Sequence, residues 1–136
     1  MHIFLFHRDL RIYDNTSLIA LFTHLKAVKH RITPVFIFPP EQISPKLNKY
    51  FSHNSVQFMI QSLKDLNQQM IDHQHNKGTN CMHYFVGRNI EVLSEIHEKI
   101  GIESIGYNID YTPFAKARDE EINSWGKSHQ IDIIAK

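Results

Sequence analysis

Short apolar runs alternate with longer stretches in which apolar residues recur every three or four positions, from end to end of this 136-residue chain. That alternation predicts parallel strands joined by crossover helices. The first run, His2 to Phe6, predicts a strand. Leu18, Leu21, Phe22 and Leu25 then predict a helix capped by Asp14 or Asn15, whose short polar side chains can accept from an unpaired backbone N–H. This helix is expected to end in the basic stretch Lys26 to Arg31, where positive charge suits a helix C-terminus. Ile32 to Phe38, almost continuously apolar, predicts a central strand buried on both faces, and Pro39-Pro40 ends it.

Glu41 to Tyr50 shows no period and contains Pro45, so it reads as a loop. Val56, Met59, Ile60, Leu63, Leu66 and Met70 predict an amphipathic helix within Ser52 to Met70, and polar His73 to Asn80 a surface turn. Met82 to Val86 predicts a third strand, and Gly87 turns it into a helix lined by Ile90, Leu93, Ile96 and Ile100. Glu103 to Ile109 predicts the fourth strand. Pro113 fits the first turn of a helix striped by Phe114, Ala117, Ile122 and Trp125, and Ile131 to Ala135 is the fifth strand. The fold class is therefore α/β: a doubly wound five-stranded parallel sheet with helices on both faces, one domain over residues 1–136.

Composition fits this picture, with 42% hydrophobic and 21% charged residues. Fifteen basic against fourteen acidic residues give a net charge of +1, which supplies no global attraction to nucleic-acid phosphates. Cys81 is the only cysteine, so neither an intrachain disulfide nor a cysteine zinc cluster can form. No apolar stretch approaches the ~20 residues that cross a bilayer. The N-terminus lacks the basic flank and cleavage site of a secretory signal, so an intracellular, soluble protein of cytoplasm or nucleus is expected. Ten histidines raise a metal hypothesis, but His73 and His75 would not share a helix face, and no His-x3-His pair has a supporting carboxylate. No metal site is expected. Neither a G-x-G-x-x-G nor a P-loop sequence is present.

The chemistry concentrates where the first strand ends, in His7-Arg8-Asp9-Leu10-Arg11 followed by Tyr13-Asp14-Asn15-Thr16-Ser17-Leu18. In open α/β sheets ligands bind at the carboxyl ends of the strands. This segment resembles the opening of the DNA photolyase/cryptochrome family, whose first strand runs into Arg-Asp-Leu-Arg-x-x-Asp-Asn. Asn54 to Leu66, with Phe58 and Ser62-Leu63-Lys64-Asp65-Leu66, is similar to the family's second helix. Tyr84-Phe85-Val86-Gly87 with Glu91-Val92-Leu93 is similar to its third strand and helix. The segment from Asp110 to Asp119 resembles its Asp-x-Glu-Pro-Tyr-Ala-x-x-Arg-Asp junction, so the matches run in order over nearly the whole chain.

The resemblance implies a Rossmann-like N-terminal domain of the kind that holds an antenna chromophore, either a folate or a flavin or deazaflavin. In that family a larger helical domain carries the FAD that transfers electrons to damaged DNA, and the antenna passes light energy to it. The resemblance thus implies no catalytic residue in this chain, FAD only through the helical domain, and DNA contact only indirectly. The candidate cofactor-binding residues are Arg8, Phe38, Pro39, Asp110 and Arg118.

Each candidate has a plainer structural reading. Arg8, Asp9 and Arg11 can instead bridge one another and fix the loop, and Asp110 can cap the helix before Pro113. Phe38 can be core, Arg118 and Asp119 can pair with neighbours, and Trp125 reads as packing. Where folate-type members have an Asn-Glu pair, this chain has Phe114 and Ala115, so a folate is not expected. Ser55 stands for an arginine of deazaflavin-type members, Pro39 for an acidic residue, and Thr112 for the usual glutamate.

Two readings of function stay open. In one, the chain is half of a split photolyase-like protein that docks on a separately encoded FAD-binding domain, with a flavin-type antenna. In the other, it is a non-catalytic remnant that binds a nucleotide or a protein; a fragment of a longer product is a third origin. An exposed apolar patch is expected on the docking face, which homodimerisation could also cover.

Overall fold

The computed structural model describes residues 1–26, 31–73 and 81–136. Most of the basic stretch after Lys26 and of the polar turn after His73 lies outside the described residues. Five strands, β1 (His2–Phe6), β2 (Ile32–Phe38), β3 (His83–Val86), β4 (Ser104–Tyr107) and β5 (Asp132–Ala135), form one sheet in the order β3-β2-β1-β4-β5. Every pairing is parallel. The crossover helices are α1 (Thr16–His24), α3 (His53–Asp72), α4 (Asn89–Ile100) and α5 (Pro113–Ser128). A further single turn, α2 (Pro40–Ile43), stands where a loop is expected from sequence. Its cause is local: Pro40 occupies the first helical position, where its fixed φ is favourable and its missing N–H leaves nothing unbonded.

The two faces of the sheet have separate cores. Phe4, Phe6 and Phe36 meet Leu21 of α1 and Leu63 and Leu66 of α3 on one face. Ile3, Leu5, Val35 and Ile105 meet Leu93 and Ile96 of α4 and Ile122 and Trp125 of α5 on the other. Alternation along each strand delivers both sets from the same run. Pro34 sits inside β2, yet β3 pairs only from Val35 onward, so its absent donor breaks no bond to that neighbour.

The sheet also decides which helical residues are buried. The stripe of α5 runs through Ala115, Asp119, Ile122, Trp125 and Gly126, whereas Phe114 and Ala117 face outward. Ile100 and Phe22 are likewise exposed rather than core.

Gly106 lets α1 pack close against β4: a Cβ there would lie 3.0 Å from both Leu21 Cδ2 and Phe4 Cδ2. Both neighbours are fully buried and cannot swing away. Gly106→Ala is therefore expected to destabilise the fold by about 1–3 kcal/mol, read as a lower urea midpoint at unchanged slope.

Candidate functional site

The strand order reverses between β1 and β4, because the chain runs outward through β2 and β3 and returns to the other side of β1. Such a switch point opens a crevice at the carboxyl edge of the sheet. Here the crevice is a cleft of ≈ 340 Å³ between the end of β1, the end of β2 with α2, and the first turns of α4 and α5. Its size falls at the lower end of ordinary ligand sites, about 300–1,000 Å³.

Arg8, Pro39, Asp110 and Arg118 all line this cleft. Phe38 does not, and its assignment to a ring wall is corrected. Along β2 it shares the face of Phe36, stacks edge-on with it at 4.8 Å, and leans on Tyr84 beneath α3. Strand alternation sends Phe38 to one face and its neighbour Ile37 to the other. On α5, Thr112, Ala115 and Arg118 recur every three residues and so present one face to the cleft.

The loop after β1 is not fixed by arginine ion pairs. Among the described residues Arg8 and Arg11 make no salt bridge, and both side chains are exposed. Asparagines fix it instead. The Asn108 amide nitrogen donates to Asp9 Oδ2 in a short contact and to Asn15 Oδ1 at 2.9 Å. Asn15 Oδ1 accepts the Leu18 N–H at 3.0 Å, making Asn15 the N-cap of α1. Asp14 precedes it at φ 51°, a turn conformation tolerated by Asp. Desolvation is the largest influence on Asp9 and raises its carboxyl above 3.8, against the opposing donation from Asn108.

Asp110 does not cap α5. Its carboxylate accepts the adjacent Tyr111 N–H at 2.7 Å, while Thr112 Oγ1 caps the helix by accepting the Ala115 N–H at 3.2 Å. Arg118 pairs with Asp119 through Nε at 2.9 Å and Nη2 at 2.7 Å, both on Oδ1, and still borders the cleft. Ser55 does not line the cleft; it sits in the first turn of α3, donating its N–H to the Ser52 cap.

Sequence reasoning missed His7 as a site residue, together with Gln42, Asn48 and Asn89. His7 was within reach, as the first residue past the strand on the ligand edge. Burial and then the Arg118 charge lower its pKa from 6.5 to about 3, so its imidazole is neutral. Its Nε2 is buried without a hydrogen-bond partner.

A second, more open groove of ≈ 670 Å³ shares His7, Arg8 and Asp110 with the cleft and extends past Phe58 and Asn108. Around this edge Phe58, Ile109, Tyr111 and Phe114 are exposed, the last three at 46%, 83% and 70%. Among the described residues, no helix is long and apolar enough to cross a membrane, and no three His, Cys, Asp or Glu side chains group as a metal site.

Comparison with known proteins places this architecture. Cryptochrome-1 of Aedes aegypti is 26% identical over 133 residues, covering 96% of this chain and 23% of that protein. An archaeal photolyase from Sulfolobus tokodaii is 34% identical with a TM-score of 0.80, over 98% of this chain and 28% of that one. That photolyase was solved with two FAD molecules, implying a novel light-harvesting cofactor. A cryptochrome of Synechocystis, 18% identical over 99% of this chain and 26% of its own, shares the fold with a TM-score of 0.74. The chain thus spans about a quarter of the length of these relatives. With the sequence model of DNA photolyase matching residues 2–135, this chain belongs to the DNA photolyase family, as its N-terminal α/β domain.

Proposed function

We propose that this domain binds a flavin-type antenna chromophore in the cleft between β1, α4 and α5. The observation that carries the reading is the make-up of the cleft at the switch point, where Phe6, Ile37, Pro39 and Met59 stand beside Arg8, Asp110 and Arg118. A cleft that sets apolar walls beside convergent polar groups suits a flat heteroaromatic ring with a polar edge. Arg8, Asp110 and Arg118 would meet the ring's polar atoms, and Pro39 would wall it. The resemblance to the Sulfolobus tokodaii photolyase with its two FAD molecules supports a flavin over a deazaflavin. Phe114 and Ala115 offer no polar side chain, which disfavours a folate.

The group would supply light absorption. This chain's residues would bind it, orient it and keep water from one face. Catalytic FAD and contact with DNA would come from a helical domain of the kind the family resemblance implies. The exposed edge of Phe58, Ile109, Tyr111 and Phe114 suits such a partner, and a second copy of this chain is its competitor.

Titration of the purified chain with riboflavin, FMN, FAD, 5-deazariboflavin and methenyltetrahydrofolate tests the reading. Flavin binding is expected, with quenched fluorescence and amide shifts at Asn89, Asp110 and Ala115; the folate is expected not to bind. Absence of binding by every flavin would overturn it.

A further inference from the structure

We propose that β5 is a self-pairing edge. Two copies of this chain join antiparallel along Asp132–Ala135, about a two-fold axis at Ile134, so that one sheet runs through both and Asp132 faces Lys136 of the partner subunit.

β5 is an outer strand of the sheet, and its bonds to β4 fix which way its backbone groups point. The Asp132 N–H donates to the Glu103 carbonyl at 3.0 Å, and the Lys136 carbonyl accepts the Ile109 N–H at 2.9 Å. Backbone groups alternate along a strand. Asp132, Ile134 and Lys136 therefore turn theirs to β4, whereas Ile133 and Ala135 turn theirs to the open edge. Among the described residues, no other element bonds the backbone of Ile133 or Ala135. The strand carries no proline, and its charges stand only at its two ends. An edge of this kind is a template for another strand.

Those end charges select the occupant and the register. A two-fold axis at Ile134 sets Ile133 opposite Ala135 of the partner subunit, so each outward N–H meets an outward carbonyl. The same register sets Asp132 opposite Lys136 of the partner subunit at both ends, and opposite charges across an antiparallel pair stabilise it. Both side chains are exposed, and His24 Nε2 engages only Oδ2 of Asp132, at 3.2 Å. A slip by two residues loses both charge pairs. The other outer strand has no such match. In β3 the Gly87 N–H goes to Phe38, so the same operation sets His83 opposite Gly87 and pairs no charges.

A stable dimer buries roughly 1,200 Å² or more, beyond what two short strands supply, so the flanking helices must meet as well. Both lie over this strand. Ser17 Oγ accepts the Lys136 N–H at 2.8 Å and His24 holds Asp132, which seats α1 on β5. Ala20 stands between them at helical spacing and is small enough for the partner's α1 to approach. On the other face α5 lies close over β5, since a Cβ on Gly126 would be 2.7 Å from Ile133 Cδ1. The two-fold sets α1 beside α1 and α5 beside α5.

Sedimentation over a dilution series, with amide hydrogen exchange, tests this on the unaltered chain. A reversible dimer is expected, in which the Ile133 and Ala135 amides gain protection with concentration while Ile134 is protected throughout. Ala135→Pro removes an outward donor but no bond to β4, so it is expected to keep the fold and weaken the dimer at least about tenfold. Asp132→Lys and Lys136→Asp are each expected to weaken self-association, and an equimolar mixture of the two to form the heterodimer. A monomer at every concentration would overturn the proposal. So would a dimer whose Ile133 and Ala135 amides gain no protection, which would place the interface elsewhere. Equal association of the mixture and of each variant alone would overturn the register. The exchange measurement needs no variant, so a misfolded substitution cannot mask the answer.

Discussion

Acidification from pH 6.5 toward pH 3 is expected to cost this domain several kcal/mol of stability through one side chain, His7. The native state holds the imidazole neutral until about pH 3, first by desolvation and then by the positive Arg118. The unfolded chain takes up its proton near 6.5. Across that window the unfolded state binds more protons, so stability falls as pH falls, by at most about 1.4 kcal/mol per pH unit. Against a typical total of about 5–15 kcal/mol, that is enough to bring the domain near its unfolding midpoint.

Asp9 acts with the opposite sign. Its native pKa lies above 3.8, so lowering the pH through that value relieves a cost carried at neutral pH. The raw acid profile also carries other carboxyls, Asp119 raised and Glu95 lowered, and a variant isolates His7. His7→Phe keeps an aromatic ring against Tyr107 and removes the titration. Urea midpoints at pH 7 and pH 4 should show wild type losing about 2–3 kcal/mol more than His7→Phe. Parallel losses in the two proteins would show that His7 titrates normally.

Asn108→Ala is the single substitution expected to destabilise the fold most, by about 3 kcal/mol. One amide serves three elements. Its Oδ1 accepts the Ser17 N–H at 3.0 Å in the first turn of α1, and its nitrogen holds Asp9 and Asn15 together. Alanine strands a buried backbone donor and a half-buried carboxylate at once, and such groups cost about 1–3 kcal/mol each when left unpaired. Asp9→Asn is expected to stay within about 1 kcal/mol of wild type, because a neutral amide keeps an acceptor for Asn108 without the desolvation that raises Asp9. A Tm for Asn108→Ala within a degree or two of wild type would refute this account of the loop.

Much of this arrangement was legible in the residues. The bounds of β1 and β2 follow from apolar runs closed by polar or proline residues, and Asn15 was readable as a cap from its short amide before the first apolar helical position. The one-turn α2 was not, since four residues are too few to show a period. Thr112 took the capping role open to Asp110 because the helix begins only at Pro113, one residue after it. Arg8, Pro39 and Asp110 converge on one cleft because each follows a strand end on the same edge, and Arg118 joins them from the second turn of α5. Phe38 parted from them because its ring packs against Phe36 and Tyr84 beneath α3.

The sequence by itself determined the order and type of elements, the parallel class of the sheet and the family, since these depend on local periodicity and on motif spacing. Tertiary structure alone decided the rest. The strand order created the cleft, bringing His7 from the end of β1 to Arg118 on α5, over a hundred residues apart in the chain. Burial then made an ordinary histidine a neutral one with a free nitrogen, a property that no neighbour in sequence could confer. Solvation and charge depend on what packs around a group, and packing exists only in the folded chain.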